Sequence, residues 1–161
     1  MKKLFIILIL GPLLIISCSH RNIILTEDNI PEDIFYLDNQ IKAYTGKCEV
    51  YYNNTDILKE VMHFKDGILN GRQISYYRNG QIKRTGSYLN GNLNGKWTGY
   101  DMQGKKMFEV IYTKDTLDGQ YISWYSSGVI KEKGVYKCNK RIGEWTSYDE
   151  SGMVVHSKEN L

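Results

Sequence analysis

The side chains able to do covalent or metal chemistry are few in this 161-residue chain: three cysteines, Cys18, Cys48 and Cys138, and three histidines, His20, His63 and His156. No histidine stands at ligand spacing from a cysteine or another histidine, so the sequence predicts no metal site. The close carboxylates (Glu27 with Asp28, Glu32 with Asp33, Asp115 with Asp118) fall in turns or in the polar stretch before residue 34, where such groups are ordinarily solvated. Neither a Gly-x-Ser-x-Gly elbow nor a phosphate-binding glycine loop is present. The expectation is a protein without catalytic residues, metal or cofactor, one that binds rather than catalyses.

Cys18 has the strongest chemical context. Lys2 and Lys3 precede an apolar run, Leu4 to Ile16, interrupted at Gly11-Pro12. That run is too short for a comfortable membrane span of ~20 residues and suits the core of a signal peptide. It closes on Ile15-Ile16-Ser17-Cys18, a small residue directly before a cysteine. The arrangement resembles a bacterial lipobox, in which the signal is cleaved before the cysteine and that cysteine takes lipid. Acyl chains there would hold the protein at a membrane surface, each buried methylene contributing ~0.8 kcal/mol. An ordinary signal peptide, or an uncleaved anchor, is the alternative. Residues 1–17 are read as a lipoprotein signal peptide, 18–33 as lipidated Cys18 and a flexible tether, and 34–161 as the folded domain. Removing residues 1–17 leaves 144 residues (161 − 17) and takes away two lysines, so the formal charge falls from +3 to +1. A near-neutral chain lacks the basic footprint of nucleic-acid binding, and no nucleic-acid partner is expected.

What must position everything else is a repeat. Gly71, Gly95, Gly119 and Gly143 stand 24 residues apart, each followed by an aromatic: Ile74-Ser75-Tyr76, Thr98-Gly99-Tyr100, Ile122-Ser123-Trp124, Thr146-Ser147-Tyr148. Nine positions after each comes another glycine, Gly80, Gly104, Gly128 and Gly152, and seventeen after the first three a tyrosine, Tyr88, Tyr112 and Tyr136. A fixed period of this size marks units that bury their apolar faces only against neighbours. Gly46, 25 residues before Gly71, opens a looser first copy, and the last copy is cut short after Gly152, as suits terminal units with one neighbour.

Within a unit, β-prone runs alternate with turns: Arg72 to Tyr77, the turn Arg78-Asn79-Gly80-Gln81, the return Ile82 to Leu89, then Asn90-Gly91-Asn92. Asn79-Gly80, Asn90-Gly91, Asp66-Gly67 and Ser127-Gly128 read as hairpin turns whose two central residues take positive φ. Beyond the signal no segment sustains a 3.6-residue period. The fold class is all-β: tandem 24-residue β-hairpin repeats, with units starting near Gly46, Gly71, Gly95, Gly119 and Gly143, forming an elongated twisted antiparallel sheet. Ile34 to Leu37 reads as a strand able to cap its first edge.

The period aligns aromatics into columns. Tyr51, Tyr76, Tyr100, Trp124 and Tyr148 form the first; Phe64, Tyr88, Tyr112 and Tyr136 the second; Trp97, Tyr121 and Trp145 the third. Odd spacing places the third on the opposite face from the first. Cross-strand aromatic pairs stabilise sheets by ~0.2–1 kcal/mol each, which is one reason for such columns. An exposed binding face at Trp97, Tyr121 and Trp145, for carbohydrate or a partner, is the other. Cys48 and Cys138 lie almost four repeats apart, of order 35 Å at ~4.8 Å per strand, beyond the ~7 Å that a disulfide bridges, so two free thiols are expected. Lys105, Lys106, Lys131, Lys133, Lys137, Lys140 and Arg141 read as a basic patch for an anionic partner or as a solvated β-surface.

These residues resemble the MORN-repeat variant family, often labelled YwqK-type antitoxins of toxin–antitoxin systems. The likeness rests on Tyr44-Thr45-Gly46-Lys47, on Phe64 to Gly71, on Tyr88 to Trp97, and on the aromatic-x-x-x-Gly steps Tyr76–Gly80, Tyr100–Gly104, Trp124–Gly128 and Tyr148–Gly152. It spans residues 34–156. The resemblance implies a protein–protein or protein–membrane interaction module. The chain lacks the Tyr-x-Gly-x-Trp core of the eukaryotic motif, so no residue inherits phospholipid binding. With the lipobox, the expectation is a non-enzymatic interaction or scaffold module of the bacterial cell envelope, an outer-membrane lipoprotein whose partners are the membrane, through its lipid, and an envelope protein. An antitoxin or immunity-type inhibitor and a carbohydrate-binding lipoprotein are the rival readings.

Overall fold

A computed structural model describes residues 14–18, 21–25, 43–53 and 55–160, with side chains from residue 43 onward except at residue 160. The described strands form one open antiparallel sheet, ordered as in the sequence except at its N-terminal edge. Near the N-terminus are β1 (Leu14–Cys18), β2 (Arg21–Leu25), β3 (Gly46–Tyr51) and β4 (Leu58–Lys65). The middle holds β5 (Ile68–Leu69), β6 (Gly71–Tyr76), β7 (Ile82–Leu89), β8 (Asn92–Leu93) and β9 (Gly95–Tyr100). Then come β10 (Lys106–Thr113), β11 (Thr116–Trp124), β12 (Ile130–Lys137), β13 (Lys140–Tyr148) and β14 (Val154–Asn160). Neighbours run β14 back to β9, then β7, β6, β4, β3, β1 and β2, with β5 on β4 and β8 on β7. At the last edge Met153, Val154 and Val155 are exposed.

Two departures from the sequence expectation occur at the first edge. Within the stretch read as a flexible tether, Arg21–Leu25 is a strand, its Ile23-Ile24-Leu25 run pairing with Leu14–Ile16 of β1. β1 in turn pairs with β3, Cys18 opposite Cys48, so β1 covers the edge assigned to Ile34–Leu37. Those four residues lie outside the described residues, as do residues 1–13.

Turns of two kinds alternate. Asp66-Gly67, Asn90-Gly91, Lys114-Asp115 and Cys138-Asn139 each hold two successive positive φ values, for instance 51° and 83° at Asn90-Gly91. That is the turn whose twist matches flanking strands. Each turn also hydrogen-bonds to the preceding unit: the N–H groups of Gly67, Gly91, Asp115 and Asn139 donate to the carbonyls of Tyr44, Leu69, Leu93 and Leu117 at 2.7–3.0 Å. Asn79-Gly80 and Ser127-Gly128 differ from expectation. There only the glycine is left-handed, and its N–H closes a turn on Tyr77 or Tyr125.

Among the described residues the sheet has no second layer, so one face is covered by its own side chains. Near β3 this is a small core of Tyr44, Cys48, Val50, Met62 and Phe64. Farther along, aromatic rings lie flat on glycines of the adjacent strand. A Cβ on Gly86 would stand 2.0 Å from the Trp97 ring, and one on Gly134 would stand 2.2 Å from Trp145. Neither glycine has positive φ, so each is there for space rather than for a turn. The second column packs edge-on against the third: Tyr88 on Trp97 at 5.4 Å and Tyr136 on Trp145 at 4.9 Å between centroids. In the intervening unit the pair is Val110 opposite Tyr121, a larger aliphatic residue facing a smaller ring. No disulfide joins Cys48, which is buried, to Cys138, which is exposed in its turn.

Candidate functional site

Five times the strand ladder slips by one residue at the same place in the repeat. Tyr51, Tyr76, Tyr100, Trp124 and Tyr148 mark the slips, and the return strands carry one extra residue each: Lys59, Lys83, Met107, Lys131 and Val155. A bulge of this kind re-aims a side chain. Consecutive residues that would alternate across a regular strand therefore border the same space, as in Lys59-Glu60, Lys83-Arg84 and Met107-Phe108.

The space forms two adjoining cavities, of about 460 and 560 Å³, that share Met107 and Phe108. They occupy the same place in the repeat two units apart. Tyr76, Tyr77, Lys83, Arg84 and Tyr100 of the first correspond to Trp124, Tyr125, Lys131, Glu132 and Tyr148 of the second. Together they make a groove rimmed by the first aromatic column.

Tyrosines brace that groove. The hydroxyls of Tyr52, Tyr77 and Tyr125 donate to the carbonyls of Tyr76, Tyr100 and Tyr148 in the following unit, at 2.7–2.8 Å. Over their rings stand the bulge lysines Lys59, Lys83 and Lys131, 5.6–5.8 Å from the centroids, within cation–π range. Where the unit has aspartate instead, Asp101 or Asp149, the bulge residue is Met107 or Val155. Those carboxylates cap their own turns, Asp101 accepting from the N–H groups of Gln103 and Lys105. Tyrosine with lysine, and aspartate with an aliphatic residue, are thus two solutions for one position.

Charge is distributed unevenly along the groove. At the far end Arg141 lies on Trp145, 3.9 Å from the ring centroid, and its guanidinium donates to both carboxylate oxygens of Glu132 at 2.8 and 3.1 Å. At the near end Arg84 lies on Trp97 at 4.8 Å. Neither Arg84 nor Lys83 forms an ion pair among the described residues. Glu60 shares this cavity and accepts a hydrogen bond from the Gln73 side chain. Burial pushes the Glu60 carboxyl above the usual carboxylate range, against the opposing pull of Gln73 and Arg84. Among the described residues the buried Gln73 carbonyl oxygen has no partner.

The structure corrects the expected binding face. Trp97 and Trp145 are 2% and 3% exposed, and their indole N–H groups donate to the carbonyls of Ser87 and Val135. Tyr121 is half-buried, stacked on Trp145 at 5.5 Å. The two indoles cover glycines instead of facing a ligand, while Tyr121 also borders the second cavity. Nor is the third column wholly apart from the first: Tyr121, Trp124 and Tyr148 line one cavity. The basic cluster is largely engaged within the chain. Lys106 pairs with Glu109, Lys137 with Asp118 and Arg141 with Glu132, while Lys133 lies over Tyr148. Cys18 ends β1, and its side chain lies outside the described residues. Among the described residues no three of His, Cys, Asp and Glu are grouped to hold a metal ion.

The hairpin repeat and the bulge-lined groove define a tandem β-hairpin repeat protein. Residues 69–90 and 117–137 match the MORN repeat variant. The two matched stretches stand two units apart and contain the Tyr77–Lys83 and Tyr125–Lys131 pairs, whereas the intervening unit has Asp101 and Met107. No curated protein matches the chain.

Proposed function

We propose that this chain is a non-enzymatic protein-binding module of the bacterial cell envelope, tethered to the outer membrane through lipid on Cys18, with its groove turned to a protein partner. The observation that carries the reading is the groove itself. It recurs at the repeat period, is rimmed by half-buried aromatics, and is braced by hydrogen bonds between units, as suits an extended ligand held without rearrangement. The matched repeats support an interaction module. The lipid anchor rests on Ile15-Ile16-Ser17-Cys18 alone. Cleavage there would leave only Cys18 of β1, so the mature array would begin at β3.

The test has two parts. Mass spectrometry of the protein from its native membranes should find a chain beginning at an acylated Cys18; an intact Met1 on a cytosolic chain removes the envelope assignment. Affinity capture from cross-linked envelopes should recover a protein that a Tyr76→Ala, Trp124→Ala double variant does not. Equal recovery by both forms removes the groove as the binding surface.

A further inference from the structure

We propose that the cavity around Arg84 is a carboxylate-recognition site, and that its occupant is an acidic, extended segment of the partner protein. This rests on the reading of the chain as a protein-binding module and specifies what it binds.

The repeat supplies its own comparison. Two arginines lie on two glycine-seated tryptophans, Arg84 on Trp97 and Arg141 on Trp145. Arg141 is completed by the Glu132 carboxylate, gripped through both oxygens. Glu132 occupies the position that Arg84 itself holds two units earlier, so the near cavity has exchanged its internal carboxylate for a second cation. Lys83 and Arg84 border it beside one carboxylate, Glu60, which is half-buried, already receives Gln73 and is drawn on more by Arg84, the one lying on a tryptophan, than by Lys83. Charge complementarity calls for an anion at Arg84, and a fork of two parallel hydrogen bonds favours a carboxylate. Lys83, 5.8 Å from the Tyr77 centroid, is held beside it by the bulge.

The same geometry favours a peptide over a sugar. Stacking on a sugar needs bare ring faces, yet Tyr52 carries Lys59 at 5.8 Å and Arg78 at 4.6 Å, and Tyr77 carries Lys83. The hydroxyls of both tyrosines are spent on carbonyls of the next unit. These rings hold cations in place for a charged ligand.

The experiment is fluorescence anisotropy of a labelled alternating Glu-Ser peptide titrated with the full chain in mild detergent. The same peptide with Gln for Glu, oligogalacturonate and phosphatidylglycerol vesicles serve as rivals. The Glu peptide should bind, the Gln peptide should not, and Arg84→Gln should weaken binding about tenfold or more, the scale of a lost charge-assisted pair. Lys83→Gln should weaken it less, and Lys137→Gln, whose lysine borders neither cavity and pairs with Asp118, should leave it unchanged. Circular dichroism of each variant guards against misfolding, and Lys83→Gln keeps the test open should Arg84→Gln fail to fold. Equal binding of both peptides overturns the proposal, as does indifference to Arg84, or Arg84-dependent binding of oligogalacturonate or vesicles in place of the peptide. A partner captured from envelopes whose retention survives Arg84→Gln overturns this inference while leaving the protein-binding reading standing.

Discussion

Replacing Gly134 by valine tests whether ring-on-glycine packing is what holds this single-layer sheet together. Its first added carbon would sit 2.2 Å from Trp145 Cδ2, and ordinary carbon contact begins near ~3.5 Å, so the indole must retreat by about 1.3 Å. Retreat disturbs the stack on Tyr121, the edge contact with Tyr136 and the 3.1 Å hydrogen bond to Val135. Overpacking of this kind costs ~1–3 kcal/mol, and loosened aromatic pairs add ~0.5–1.5 kcal/mol, so Gly134→Val should cost about 3 kcal/mol. Trp145→Tyr alone should cost about 2 kcal/mol by leaving Gly134 uncovered. The double variant copies the native Val110–Tyr121 pair, and should cost well below the sum, a coupling of about 2 kcal/mol. Urea unfolding followed by far-ultraviolet circular dichroism reads all three. Additivity within ~0.5 kcal/mol would refute the reasoning, since it would mean that ring and glycine do not sense one another.

Glu60→Gln should raise stability at neutral pH. The native carboxyl titrates above its ordinary value, so the wild type is fullest in stability below that ordinary value and loses some as pH rises through the raised one. The amide removes this loss and can donate to the orphaned Gln73 oxygen; thermal melts across pH 4–8 should show a flatter profile, and an unchanged one would count against it. Tyr77→Phe should cost about 1 kcal/mol in the same urea assay, because its hydroxyl is bonded to Tyr100. Cys138 should react at once with a thiol reagent while Cys48, 1% exposed, reacts only on unfolding. Cys138→Asn should stabilise by about 0.5 kcal/mol, since the residue holds a φ of 49° that asparagine tolerates better.

The period made the hairpins legible, and the turns at Asp66-Gly67 and Asn90-Gly91 follow from their residue types. The groove did not, for a physical reason. A glycine in the sequence signals freedom of φ and absence of a side chain alike, so Gly86 and Gly134 look like the turn glycines although they serve as seats for indole rings. Counting alternate residues assigns faces only while a strand is regular. The bulge at Lys83, Met107 and Lys131 breaks that count without disturbing the 24-residue spacing. A signal for the groove was nevertheless present: Tyr77 with Lys83 and Tyr125 with Lys131 alternate with Asp101 and Met107, a correlated change at fixed spacing that packing against a solvated surface would not require.

Because the sheet from β3 to β14 is laid down in sequence order, assembly of that stretch needs no distant ends to meet. The entropy of closing long loops, which slows most β proteins, scarcely arises. Any hairpin can serve as the starting point, and growth proceeds outward one unit at a time. Disassembly follows the same logic in reverse: amide protons of β14 should exchange first and those of β9 and β10 last, a graded profile along the chain in place of a single global opening.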